Sequence, residues 1–261
     1  MIKAVFFDFD GVLVDSEKLH SDITIHYLHQ EKIPIPDYEA FGGIGGNPKM
    51  NYWEGVYQRY KEVMPCSYDE LISGIREAHK CLKDYDYSKI MFKDTPIILN
   101  GLKEKGFKLA LASSSPMEYL IKNINSCGIN NIFDYIISGR DITESKPSPQ
   151  IYNKCVEYFG LERKECAVVE DSTFGIQAAK NAGLFTIAIK DYRFGINQKG
   201  ADIFVDNLTE AMNILISMNG VYNRNSCRLF SKSQSLKLLL QYSSLNHLHL
   251  PNDLLEAVRT Q

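Results

Sequence analysis

What the sequence lacks narrows it first. No apolar run approaches the roughly 18 residues that span a bilayer, so no membrane partner is expected. Met1-Ile2-Lys3 lead straight into a strand-like stretch without a secretory signal, and the expected location is the cytoplasm. The six cysteines (Cys66, Cys81, Cys127, Cys155, Cys166, Cys227) are scattered, and none forms a CxxC pair. That argues against a zinc or dithiol redox motif and for reduced thiols. Nor is there a surplus of one charge: the formal net charge is −3 over 261 residues. Without a basic surplus there is no global electrostatic ground for binding nucleic acid or an anionic membrane. Internal repeats and long charge runs are absent as well. What remains, 44% hydrophobic and 23% charged, is the composition of an ordinary globular protein. The length suffices for one large domain or a core with a smaller companion.

Short apolar runs recur along the chain, and each ends in polar residues. Ile2–Phe7 ends at Asp8-Phe9-Asp10-Gly11, and Lys108–Ala112 ends at Ser113-Ser114-Ser115. Tyr135–Ser138 ends at Gly139, Glu165–Val169 at Glu170-Asp171-Ser172, Phe185–Ile189 at Lys190-Asp191, and Ile203–Val205 at Asp206. Between them lie helical patterns, several stopped by glycine: Met117–Cys127 before Gly128, Gln150–Phe159 before Gly160, Phe174–Ala182 before Gly183. Alternating strands and helices predict an α/β domain with a parallel sheet, its ligands beyond the carboxyl ends of the strands.

Residues 16–93 read differently. Leu19, Ile23 and Tyr27, then Tyr52, Val56 and Tyr60, recur at helical spacing, with a glycine-rich break at Gly42-Gly43-Ile44-Gly45-Gly46. The expected layout is an α/β core of residues 1–15 and 94–216 with a helical insertion at 16–93. Residues 217–261 form an extension rich in Asn, Ser and Leu, in which basic residues outnumber acidic ones five to two. Short helices are expected there at Leu236–Tyr242 and Asp253–Val258.

Four polar clusters then stand in order after predicted strands: Asp8-Phe9-Asp10-Gly11 with Asp15-Ser16, Ser113, Lys146-Pro147-Ser148-Pro149, and Glu170-Asp171-Ser172. Together they resemble the four signatures of the haloacid dehalogenase superfamily of phosphotransferases, and most of all its β-phosphoglucomutase-like phosphatases. The resemblance spans residues 2–216. It implies a Rossmann-like, doubly wound parallel sheet with the helical insertion as a cap. Two positions depart from the pattern: Gln150 stands where many relatives carry Asp, and Ser145 where Gly is common. Neither is catalytic in the family.

The chemistry fits these residue types. A phosphate monoester is a dianion, and a carboxylate that attacks it meets repulsion, which a hard divalent cation relieves. Asp8 resembles the family nucleophile that forms an aspartyl-phosphate. Asp10 lies on the same side of an extended chain as Asp8. It resembles the general acid–base, and its backbone carbonyl resembles a metal ligand. Glu170 and Asp171 complete a carboxylate set that suits Mg²⁺, since no histidine or cysteine ligand is in view. Acidic residues and Ser also favour a helix N-terminus in their own right. Ser113, and after it Ser114, would bind the phosphoryl group, helped by backbone N–H groups of the following turn. Lys146 would offset the charge of nucleophile and phosphate.

The cap would close over the site and read the leaving group. Its candidates are His20, Lys49, Arg76 and Lys80. His20 lies on the first cap helix, where the mutases have a histidine. Lys49 lies near their arginine for a second phosphate. Arg76 and Lys80 would share a helix face at i, i+4, and a merely solvated face fits them too. Tyr52, Trp53, Tyr57 and Tyr60 read as cap core.

The expectation is a Mg²⁺-dependent phosphatase acting on a small phosphorylated metabolite, a sugar phosphate above all. A β-phosphoglucomutase-type phosphomutase is the alternative. Ser115-Pro116-Met117, which stands where the mutases carry a Lys and an Asn for the second phosphate, weighs against it, and Lys49 weighs for it. A catalytically silent binding protein on the same fold is the third reading.

Overall fold

The computed structural model describes residues 1–42 and 52–219. Six strands, β1 (Ala4–Phe7), β2 (Lys108–Ser113), β3 (Tyr135–Ser138), β4 (Cys166–Glu170), β5 (Phe185–Ile189) and β6 (Ile203–Val205), form one sheet. Its order is β3-β2-β1-β4-β5-β6, and every neighbouring pair is parallel. The apolar runs are explained by burial on both faces. Val5 and Phe7 of β1 pack into one core with Leu99, Ile124 and Leu215, while Ala4 and Phe6 pack into a second core with Ile151, Tyr152 and Ala178. Those partners come from α5 (Thr95–Glu104), α6 (Met117–Ser126) and α9 (Leu208–Met218) on one side. On the other they come from α7 (Gln150–Phe159) and α8 (Thr173–Asn181).

Strand ends depart from the sequence expectation in ways that matter. β1 begins at Ala4 rather than Ile2, since the ladders to β2 and β4 start there. Ile2 is instead held by Asn219, which accepts from its N–H at 2.7 Å and donates to its carbonyl at 2.6 Å. β2 continues through Ser113, paired with Ser138, and β4 continues through Glu170, paired with Ala188. Both polar residues therefore sit on the last rung of a buried strand. The sheet order reverses between β1 and β4, so the chain leaves these two strands in opposite directions. The space beyond their carboxyl ends is the natural ligand crevice.

Residues 16–42 and 52–89 contain no strand. They form α1 (Ser16–Gln30), α2 (Asp37–Gly42), α3 (Tyr52–Tyr60) and α4 (Tyr68–Ala78), with 3-10 turns at Lys61–Val63, His79–Asp84 and Tyr87–Lys89. Their apolar side chains meet in a cluster of their own: Leu28, Ile33, Ile35, Val56, Leu71 and Ile75. Tyr52, Trp53, Tyr57 and Tyr60 pack against it. At α4 a capping box pairs Ser67 with Glu70. The two crossings between these helices and the sheet run side by side: Asp15 N donates to Ile90 O at 2.8 Å and Phe92 N to Leu13 O at 3.2 Å. No described helix is long and apolar enough to cross a membrane. Lys49, the stretch Gly43–Gly46 and the helices expected at 236–242 and 253–258 lie outside the described residues.

Candidate active site

The loop after β1 sets the site. Asp8 extends the strand, its N–H donating to Val169 O at 3.1 Å, and the chain then turns at Gly11, whose φ is +74°. This glycine is needed twice over. Its backbone lies in the left-handed region, and a Cβ there would stand 1.9 Å from Asp171 Oδ2. The Asp8 loop and the end of β4 thus approach as closely as main chain and carboxylate can.

Lys146 enters from the loop before α7, with its side chain 5% exposed. Its ammonium donates to Asp8 Oδ1 at 2.5 Å, Glu170 Oε1 at 2.7 Å and the Ala112 carbonyl at 3.0 Å. All three of its hydrogens are used. Glu170 is fully buried, and protein donors saturate it. Oε1 accepts from Lys146 and, at 2.6 Å, from the Tyr152 hydroxyl. Oε2 accepts from the Asp171 N–H, the Ser172 N–H and the Ser172 hydroxyl at 3.1–3.3 Å. Gly175 lets α8 lie against it, since a Cβ there would meet Glu170 Oε1 at 1.9 Å. Tyr152 is itself fully buried, and its ring lies 5.3 Å from the Lys146 ammonium.

Asp171 is the contrast. It is 3% exposed, and no hydrogen bond reaches its carboxylate among the described residues. Burial and the charges of Glu170, Asp8 and Glu17 push its pKa well above the usual carboxylate value. Burial likewise pushes Asp8 up to about 8, with Lys146 pulling it down and Glu170 and Asp10 adding to the rise. A buried carboxylate without a donor is costly unless a cation faces it. Asp8, Glu170 and Asp171 bring oxygens within 4.8 Å of one another. An all-oxygen donor set of this kind fits a hard divalent ion such as Mg²⁺. The free oxygens belong to Asp8 and Asp171. Glu170, already accepting five hydrogen bonds, serves as the anchor of Lys146 and contributes charge.

The expected phosphate-binding serines separate. Ser113 is buried at the end of β2, and its Oγ accepts from Ser115 N at 3.1 Å, which leaves the hydroxyl hydrogen to donate elsewhere. Ser114 is exposed. Ser115 was not singled out by the sequence, yet its hydroxyl donates to Asp10 Oδ2 at 3.2 Å. Its backbone is fixed in turn by Ser138, whose hydroxyl donates to Ser115 O at 2.7 Å.

Of the cap candidates, His20 is half-buried on α1, close enough to feel the charge of Asp10. Its pKa is lowered, chiefly by burial, with Asp10 opposing and His79 adding. Its ring stacks on His79 with centroids 5.2 Å apart. Both nitrogens of His79 face carbonyl oxygens, of Ile75 at 2.8 Å and of His20 at 3.2 Å. His79 carried no motif signal and was missed. Arg76 lies on α4, which ends at Ala78, and Lys80 lies in the 3-10 helix that follows it directly. Both are exposed, and Lys80 pairs with Glu77 at 2.6 Å.

The family model of haloacid dehalogenase-like hydrolases matches residues 5–189. The chain is 28% identical over 212 residues to β-phosphoglucomutase of Bacillus subtilis, covering 78% of this chain and 89% of that protein. It is 27% identical over 195 residues to the phosphorylated carbohydrates phosphatase of Thermotoga maritima, covering 70% and 82%. Its fold is similar to a crystal structure of β-phosphoglucomutase from Clostridium difficile. That match has a TM-score of 0.58 and 23% identity, over 83% of this chain and 99% of that one.

Proposed function

The chain belongs to the haloacid dehalogenase-like hydrolase family, and from that premise we propose that it is a Mg²⁺-dependent phosphatase of a small phosphorylated metabolite, a sugar phosphate above all. It is an enzyme of the phosphoric monoester hydrolase or phosphomutase type. One observation carries the reading further. Lys146 ties down one oxygen of Asp8, while the buried Asp171 carboxylate beside it has no donor among the described residues.

Asp8 uses its other oxygen, Oδ2, to attack phosphorus, and the bond to the leaving alcohol's oxygen breaks as the aspartyl-phosphate forms. Asp10, in its protonated form, gives its proton to that oxygen. As carboxylate it then takes a proton from a water that attacks the same phosphorus, which releases phosphate and restores Asp8. Ser115 holds Asp10 Oδ2 for both transfers. Ser113 donates its free hydroxyl hydrogen to a phosphoryl oxygen, and Lys146 offsets the charge gathered between nucleophile and phosphate. Asp8, Asp171 and the Asp10 backbone carbonyl would hold Mg²⁺, which supplies charge neutralisation and alignment when bound. The charge of Asp10 reaches His20, which supports a place for this histidine on the leaving-group side. Similarity to a phosphatase of phosphorylated carbohydrates supports a sugar phosphate as substrate.

The mutase reading draws on the similarity to β-phosphoglucomutase. Against it, the Ser115 hydroxyl is committed to Asp10, and Pro116-Met117 supply no charge for a second phosphate. A panel of small phosphate esters with and without Mg²⁺ tests the proposal. Phosphate release that needs both Mg²⁺ and Asp8 is expected. Conversion of β-glucose 1-phosphate to glucose 6-phosphate without phosphate release would favour the mutase. A flat panel from folded protein would point to a silent binding protein.

A further inference from the structure

The connection from β5 to β6, residues 190–202, passes over the carboxyl end of the sheet and has no periodic pattern. One of its side chains is buried: Gln198. Its Nε2 donates to the Asp171 carbonyl at 2.6 Å and to the Ile189 carbonyl at 2.5 Å. Two carbonyl oxygens can be met only by the –NH₂ end of the amide, so its orientation is fixed chemically and both its hydrogens are spent. The loop is anchored around this point. Thr173 at the start of α8 donates its hydroxyl to the Asn197 carbonyl at 2.7 Å. At the other end Arg193 grips Asp15 with two hydrogen bonds of 2.9 Å. The Phe194 ring meets Phe41 of α2 at 5.5 Å.

These contacts matter because of what Asp171 lacks. No protein donor orients its carboxylate among the described residues, so the direction in which it points follows from its backbone. Gly11 bounds the carboxylate itself on one side, and Gln198 holds the Asp171 backbone carbonyl, tied to the end of β5. We propose that Gln198 is a positioning residue for the cation site: it fixes the Asp171 peptide so that the carboxylate faces Asp8. The inference rests on the Mg²⁺ reading above. Groups that orient a ligand without touching the metal typically change affinity by about 10- to 100-fold when removed.

Calorimetric titration of Mg²⁺ into the full chain, without substrate, tests it alongside thermal melting in EDTA. Gln198→Met keeps the length of the side chain and removes both donors. It should bind Mg²⁺ roughly tenfold more weakly than the parent while still melting cooperatively. Gln198→Asn keeps the amide but pulls it back, and should also lose affinity, which serves if the Met variant does not fold. Parental Mg²⁺ affinity in either folded variant, even with a lowered melting temperature, would leave Gln198 a merely structural residue and overturn the proposal. If the parent itself gives no Mg²⁺ binding, indistinguishable from Asp171→Asn, the Mg²⁺ reading falls and this inference with it.

Discussion

Lys146 and Asp8, 138 residues apart in sequence, share a 2.5 Å ion pair almost closed to solvent. Removing one partner of such a pair strands the other charge, a loss of about 3–5 kcal/mol. Lys146→Met strands the buried Glu170 carboxylate and takes from Asp8 the charge that holds its pKa down, because the same ammonium serves both. Denaturant unfolding should show a loss in that range, and turnover should fall at least a thousandfold. A stable variant with turnover within tenfold of the parent would show that this lysine is not part of the machinery.

Asp8→Asn separates chemistry from stability. Turnover should drop by several decades, since an amide cannot form the acyl phosphate. Stability should move the other way with pH. The folded-state value of Asp8, about 8, lies above the ordinary carboxylate value of 3.8. A raised value means stability that is fully present below the unfolded value and lost as pH rises through the folded one. In EDTA, the melting temperature of Asp8→Asn relative to the parent should therefore climb between pH 5 and pH 8. Parallel melting curves across that window would contradict the assignment.

Gly11→Ala tests the closest approach in the site. The left-handed backbone alone costs a non-glycine residue about 1–2 kcal/mol, and the methyl must displace the Asp171 carboxylate. Both a lowered melting temperature and weakened Mg²⁺ binding are expected. Unchanged Mg²⁺ binding would mean that Asp171 is not held against this turn.

Tyr152→Phe keeps the ring under Lys146 and deletes only the hydroxyl that donates to Glu170. A hydrogen bond to a charged group contributes about 1.5–3 kcal/mol. Chemical denaturation should report a loss of that order with the fold retained. A neutral outcome would show that Glu170 is held well enough by its remaining donors.

The four signature clusters were legible because each is local: a few residues at the end of an apolar run. The parallel sheet was legible for the same reason, from continuous apolar stretches punctuated by acids, serines and glycine. The supports of the site were not legible. Ser115 meets Asp10 across 105 residues, and His79 meets His20 across 59, without a spacing rule that predicts either. Gln198 sits in an aperiodic loop where a polar residue reads as solvated. Tyr152 has the apolar profile of a helix's inner face, and only its hydroxyl distinguishes it from packing.

The central place of β1 has a consequence for how the protein is made. Ala4 pairs with Lys108 on one side and Cys166 on the other. A ribosome that has just released Ala4–Phe7 must build more than a hundred residues before that apolar strand gains its first neighbour, and about sixty more before the second. Contacts so distant along the chain form slowly and leave a sticky strand open to wrong pairings in the meantime. Asp8 therefore finds its surroundings only after both of these distant strands have been made. A nascent chain halted before β4 would carry Asp8 without the two carboxylates, Glu170 and Asp171, that stand against it in the folded site.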